Sequence, residues 1–125
     1  MTRILCVEDN DDNLYLLQRR LTRAGFEVTI AMDGLEGVAT AISSPPDLIV
    51  MDLNLPSIDG WEATRRLKSR AETKHIPIIA LSAHAMEDHR RKALAAGCDE
   101  FEAKPVNFEA LIEKIRAVLG RSAPP

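Results

Sequence analysis

The 125-residue chain is expected to fold as a single α/β domain, a doubly wound five-stranded parallel sheet with five helices. Three observations carry that expectation. Short apolar runs alternate with helix-length amphipathic stretches five times along the chain. The stretch Asp47-Leu48-Ile49-Val50-Met51-Asp52 holds four consecutive apolar residues between Pro45-Pro46 and Asn54-Leu55-Pro56. It is too short for a helix and has no in/out alternation, so it reads as a strand buried on both faces, in the middle of a parallel sheet. Finally, strands separated by helices at this spacing require right-handed crossovers, which cover both faces of the sheet.

Taken in order, Ile4 to Val7 is a short apolar strand that stops at Glu8-Asp9. Asp11 or Asp12 can cap a helix running to about Ala24, with Leu14, Leu17 and Leu21 on one face and Gly25 as terminator. Phe26 to Ala31 is a second strand, less apolar and therefore nearer an edge. Asp33-Gly34 turns into a helix through about Ile42, closed by Ser43-Ser44-Pro45-Pro46. After the central strand, a helix opens near Asp59-Gly60 and runs to about Arg70. Ile76 to Leu81 is the fourth strand, Met86 to Ala96 the fourth helix, ended by Gly97, and a short strand lies near Phe101. The last helix, Asn107 to Leu119, places Phe108, Leu111, Ile112 and Ile115 at helical spacing in the core. Gly120 is expected to stop it, which makes residues 1–120 the domain and 121–125 a frayed tail.

Composition narrows the function classes. A hydrophobic fraction of 46% and a charged fraction of 28% are ordinary for a globular domain. The net charge of −3, with Arg and Lys scattered over the helices, offers no footprint for direct DNA binding or an acidic membrane surface. No apolar run approaches spanning length, and Glu8 interrupts the N-terminal run too early for a signal peptide. Cys6 and Cys98 fall in or beside buried strands without metal-ligand spacing, so they are read as reduced packing residues of a cytoplasmic protein.

In a parallel sheet all strand exits lie along one edge, and ligands bind in the crevice there. That rule brings together Glu8 and Asp9 from the first strand, Asp52 from the third, Ser82 from the fourth and Lys104 from the fifth. Three close carboxylates repel unless a cation neutralises them. Oxygen ligands without His or Cys select a hard ion, and Mg²⁺ suits a site with few protein ligands and several waters. With a lysine and a hydroxyl beside it, such a site is suited to phosphoryl transfer onto a carboxylate. The plain alternative is a surface acidic cluster with a structural salt bridge.

Those residues also carry a resemblance. Val7-Glu8-Asp9-Asn10 with Asn13-Leu14, Asp33-Gly34, Pro46 to Asp52, Pro56-Ser57-Ile58-Asp59-Gly60, Ser82-Ala83, Ala96-Gly97 and Ala103-Lys104-Pro105 stand in the order and spacing of response regulator receiver domains. The chain resembles that family from Arg3 to Leu119, in the flavodoxin-like receiver architecture, and looks like a stand-alone, single-domain receiver of the cell-division or relay type. The resemblance implies that Asp52 is the phosphoacceptor and that Asp9, Asp52 and the Asn54 backbone carbonyl hold Mg²⁺, with Glu8 acting through a metal-bound water. It implies that Ser82 hydrogen-bonds the acyl phosphate, that Lys104 pairs with it, and that Lys104-Pro105 is a cis peptide. Phe101 stands at the switch aromatic, expected to turn inward as Ser82 moves, which would alter the face formed by the fourth helix, fifth strand and last helix.

The implied partners are a histidine kinase or histidine phosphotransfer protein as donor and a downstream protein target. Leu16 points away from the Leu14, Leu17 and Leu21 face of the first helix, one turn past the acidic pocket. Leu16 and Pro105 are therefore the candidate docking residues, with Tyr15 second. His84 and Asn54, each two residues past a site residue, are candidates for tuning phosphoryl lifetime. Three other functions are weighed against this one. A flavodoxin-like cofactor protein needs a Ser/Thr/Gly-rich phosphate loop where this chain has Glu8-Asp9-Asn10-Asp11-Asp12. An aspartyl-phosphate hydrolase places its nucleophile after the first strand in an Asp-x-Asp pattern, which Glu8-Asp9-Asn10-Asp11 supplies poorly. A pseudo-receiver acting only as a phosphorylation-independent interaction module would share the fold. The expected role is a signalling phosphoacceptor, not an enzyme acting on an external metabolite.

Overall fold

The computed structural model describes residues 1–83 and 87–122. Its elements are β1 (Arg3–Val7), α1 (Asp11–Arg23), β2 (Glu27–Ala31), α2 (Gly34–Ser43), β3 (Leu48–Asp52), α3 (Gly60–Lys68), β4 (Ile78–Ser82), α4 (Glu87–Ala96), β5 (Glu100–Ala103) and α5 (Phe108–Ser122). All five strands are parallel, in the order β2-β1-β3-β4-β5. The run Leu48–Asp52 is thus the middle strand, and every residue in it is buried. β2, less apolar than β1, β3 and β4, lies at an edge with Glu27, Thr29 and Ile30 exposed.

The missing alternation in the central run has a direct cause: both of its faces are covered. Ile49 and Met51 join Leu5, Val7, Ile78 and Ala80 in one core layer, with Ala41 of α2, Ala63 and Leu67 of α3 and Ala93 of α4. Leu48 and Val50 join Ile4, Cys6, Ile79 and Leu81 in the other, with Leu14, Leu17 and Leu21 of α1 and Leu111, Ile115 and Val118 of α5. Each fully buried leucine contributes roughly 2 kcal/mol by removal from water, so three per helix seat α1 firmly. Cys6 and Cys98 are free thiols within these layers. Burial, and secondarily the Glu8 charge, pushes the Cys6 thiol up to about 12; burial pushes Cys98 up to about 11. Both are inert packing residues.

Several boundaries differ from the sequence reading, each for a local reason. Asn10, not Asp11 or Asp12, caps α1: its side chain accepts the Asn13 N–H, and both aspartates sit in the first turn, where they favour the helix dipole. α3 ends at Lys68 instead of Arg70, because Ser69 closes it and Thr73 Oγ1 donates to the Leu67 carbonyl. β4 starts at Ile78, after Pro77, which has no N–H to give a ladder. Gly120 does not stop α5, which continues to Ser122. Phe108 and Ile112 are only partly buried, and Val118 takes the core place instead. Gly25 and Gly97 do end their helices, at φ +100° and +112°. The expected helix start at Met86 and His84 both lie outside the described residues.

The edge where the strands begin is stapled by side chains. Asp47 Oδ2 accepts the Arg3 N–H at 2.7 Å, and the Arg3 guanidinium donates to the Pro45 carbonyl at 2.6 Å. Asp99 Oδ2 accepts the Ile78 N–H at 2.8 Å and pairs with Lys68 Nζ at 3.2 Å, which also reaches the carbonyls of Ile76 and Lys74. The edge where the strands end is built differently.

Candidate functional site

Register places the acids. Val7 pairs with Met51, so the next residues on each strand, Glu8 and Asp52, emerge side by side. Asp9 follows Glu8, and one carboxylate oxygen from each of Glu8, Asp9 and Asp52 lies within 4.8 Å of the others. Glu8 and Asp52 are buried and Asp9 is exposed. On the other side Ser82 pairs with Ala103, and the Lys104 N–H donates to the Ser82 carbonyl at 2.7 Å. That bond ties the ends of β4 and β5 together and brings Ser82 and Lys104 to the same rim. Ser82 is buried. Four of the five strands thus deliver the residues read from the sequence to one place.

The Lys104 ammonium holds the acids together. Its Nζ lies 3.2 Å from Glu8 Oε1, 3.3 Å from Glu8 Oε2 and 3.2 Å from Asp52 Oδ2. Asp52 Oδ1 accepts the Asn54 N–H at 3.1 Å, which orients the carboxylate from the following loop. Burial raises the Glu8 carboxyl to about 7, helped by its hydrogen bond and charge interaction with Asp52; Asn13 and Lys104 pull the other way. One ammonium does not fully neutralise two buried carboxylates, and a further cation would. The donor set is oxygen-only and one member faces solvent, which fits Mg²⁺ with retained waters. Glu8, Asp9 and Asp52 could hold it.

Two backbone features shape the site. Lys104-Pro105 is a cis peptide. The Gly60 N–H donates to the Leu53 carbonyl at 3.1 Å, and a Cβ on Gly60 would stand 2.3 Å from the Asp52 carbonyl oxygen and 2.7 Å from Leu53 Cα. Only glycine lets the start of α3 pack this closely against the end of β3.

Beside the acids runs a groove of about 460 Å³ lined by Asn13, Leu16, Ala83, Lys104, Pro105 and Val106 among others. Leu16 is 44% exposed while Leu14, Leu17 and Leu21 are buried, so both docking candidates border this groove. Tyr15, also exposed, lies round the helix from it. Phe101 sits at the β5 position expected, and its ring is already buried in the core layer with Ala80 and Met51. The next turn of α5 reaches the same strand: Lys114 Nζ donates to the Phe101 carbonyl and to Glu102 Oε2, both at 2.7 Å.

Sequence reasoning assigned no role to Asn13. Its Nδ2 donates to Glu8 Oε1 at 2.8 Å. Residue types carry no signal for it, since the cap expected at Asp11 or Asp12 is in fact Asn10.

Comparison with known proteins agrees with the geometry. A family model for the response regulator receiver domain matches residues 4–116. The polar-differentiation response regulator DivK of Brucella ovis is 37% identical over 117 residues, covering 94% of this chain and 95% of that one. A similar solved structure is the receiver domain of a sensor histidine kinase from Pseudomonas aeruginosa, which has a magnesium ion coordinated in its active site cleft. It is 35% identical with a TM-score of 0.89, covering 95% of this chain and 98% of that one. A two-component response regulator from Clostridium difficile superposes with a TM-score of 0.91 at 27% identity, over 99% of this chain and 100% of the other. Among the described residues no helix is long and apolar enough to cross a membrane.

Proposed function

The chain belongs to the response regulator receiver domain family, a signalling module and not a metabolic enzyme, and on that premise we propose that Asp52 is its phosphoacceptor. The donor is a phosphohistidine on a histidine kinase or histidine phosphotransfer protein. The observation that carries this reading is the Lys104 ammonium held 3.2 Å from Asp52 Oδ2 at the rim where Glu8, Asp9 and Asp52 meet. A lysine fixed there is within reach of phosphoryl oxygens arriving at Asp52.

An Asp52 carboxylate oxygen attacks phosphorus; the new P–O bond forms as the P–N bond to the donor imidazole breaks, and its electron pair returns to the ring nitrogen. Asn54 N–H keeps the carboxylate aimed before attack. Asp9, Asp52 and the Asn54 carbonyl would hold Mg²⁺, with Glu8 acting through a water, and the bound ion would supply positive charge against the phosphoryl oxygens. Lys104 exchanges a carboxylate contact for one to the phosphoryl group, and the Ser82 hydroxyl donates to it. Movement of Ser82 and of the already buried Phe101 side chain reaches the surface formed by α4, β5 and α5, where a downstream protein reads it. Electrostatics gives no reason to invoke DNA.

Intact mass after incubation with acetyl phosphate and Mg²⁺ tests the acceptor. A Mg²⁺-dependent gain of one phosphoryl group in the unaltered chain, absent in Asp52→Ala, is the expected result. Absence of any gain together with absence of Mg²⁺ binding would favour a phosphorylation-independent pseudo-receiver.

A further inference from the structure

Glu8 is a buried carboxylate with three rotatable side-chain bonds, so something has to hold its oxygens in place. Beside the hydrogen bond it shares with Asp52, two nitrogen donors do so: Lys104 Nζ, at 3.2 Å and 3.3 Å, and Asn13 Nδ2, at 2.8 Å from Oε1. The two differ in what else they must do. Lys104 also contacts Asp52 Oδ2 and, on the reading above, turns to the phosphoryl group when one arrives. Among the described residues, the Asn13 amide has Glu8 as its partner in the acid cluster. It is itself fixed, because its backbone N–H is bound by the Asn10 cap at 2.9 Å in the first turn of α1.

We infer that Asn13 is the positioning residue of the site: anchored through the Asn10 cap, its amide holds the Glu8 carboxylate toward the Asp9–Asp52 pocket when Lys104 is engaged elsewhere. This rests on the metal and phosphoacceptor reading of the same site. An amide suits the task, since a neutral donor orients the carboxylate without adding a positive charge that would repel a cation. Asn13 also borders the groove with Leu16 and Pro105. A partner seated there would touch the residue that aims Glu8, which joins donor docking to metal readiness through one side chain.

The test is a Mg²⁺ titration followed by amide chemical shifts at Asp52 and Leu53, on the full chain. The series is the unaltered protein, Asn13→Ala, Glu8→Ala and the double variant. Alanine is a good helix former and the Asn10 cap accepts a backbone N–H, so Asn13→Ala should still fold, with a Tm lowered by the loss of one buried hydrogen bond. Asn13→Ala should weaken Mg²⁺ binding by about tenfold, the usual scale for losing a group that orients a ligand. In the Glu8→Ala background the same substitution should change affinity less than about twofold, because the residue it acts through is gone. Equal weakening in both backgrounds, or none in either, would overturn the inference while leaving the site intact. Failure of the unaltered protein to bind Mg²⁺ would overturn the site reading itself and this inference with it.

Discussion

Lys104 Nζ contacts both carboxylate oxygens of Glu8, a residue 96 positions away in the chain, from a side chain that is only 17% exposed. Removing it leaves two buried carboxylates without a counter-charge. Full loss of a buried partner is strongly destabilising, but Glu8 can take up a proton instead of staying charged. Lys104→Met is therefore expected to lower stability by roughly 1–3 kcal/mol in chelator-treated protein. Saturating Mg²⁺ should recover part of that loss, since a cation that binds only the folded state stabilises it. Urea unfolding with EDTA and with Mg²⁺ measures both.

Glu8 gives the metal-free protein a pH signature. Its folded value of about 7 lies above the ordinary 4.5, so between those values the folded state binds more protons than the unfolded one. The contribution of Glu8 to stability is then fully present below about 4.5 and is lost as pH rises toward 7. Unfolding free energies in EDTA should show a downward slope across that window that flattens in Glu8→Gln. An identical slope in both proteins would place the proton elsewhere.

The glycines separate site geometry from helix propensity. Gly60→Ala drives a Cβ into the Asp52 carbonyl and the Leu53 backbone, atoms that cannot swing aside. Overpacking of that kind should cost roughly 1–3 kcal/mol and slow phosphorylation by shifting Asp52. Gly120→Ala meets no atom within 4 Å and lies in α5, so it should be neutral or stabilising by up to about 1 kcal/mol. Thermal melts and acetyl phosphate labelling of the two variants provide the contrast.

Leu16 offers a test of docking that leaves chemistry untouched. It is exposed, lies in the groove with Pro105, and contributes nothing to the cores. Leu16→Ala should slow phosphoryl transfer from the cognate protein donor several-fold while labelling by acetyl phosphate stays at the unaltered rate. Parallel slowing of both would assign the residue to the fold or to the site.

How much of this was legible beforehand depended on what each signal measures. The apolar runs and helical spacings report burial, so the central place of β3, the edge position of β2 and the gathering of Glu8, Asp9, Asp52, Ser82 and Lys104 at one rim could be read from them. Element ends are decided by single hydrogen bonds, and there the reading slipped. Asn10 and Asp11 are both good capping residues, and only the backbone shows that Asn10 adopts the extended conformation of a cap. Gly120 has the freedom to end a helix but no turn that asks it to. The amide of Asn13 on Glu8 could not be inferred from residue types, because many polar residues near a strand exit simply face water.

Aspartates occur at both rims of this sheet, and their different company explains what each rim is for. Asp47 and Asp99 are engaged by backbone N–H groups, Asp47 by Arg3 and Asp99 by Ile78, and Asp99 also by a lysine. They work as mortar between the strand starts. The carboxylates of Glu8 and Asp52 share a single ammonium and Asp9 opens to water. Carboxylates crowd together at the rim where the strands end, and at the rim where they begin each is tied to a backbone N–H.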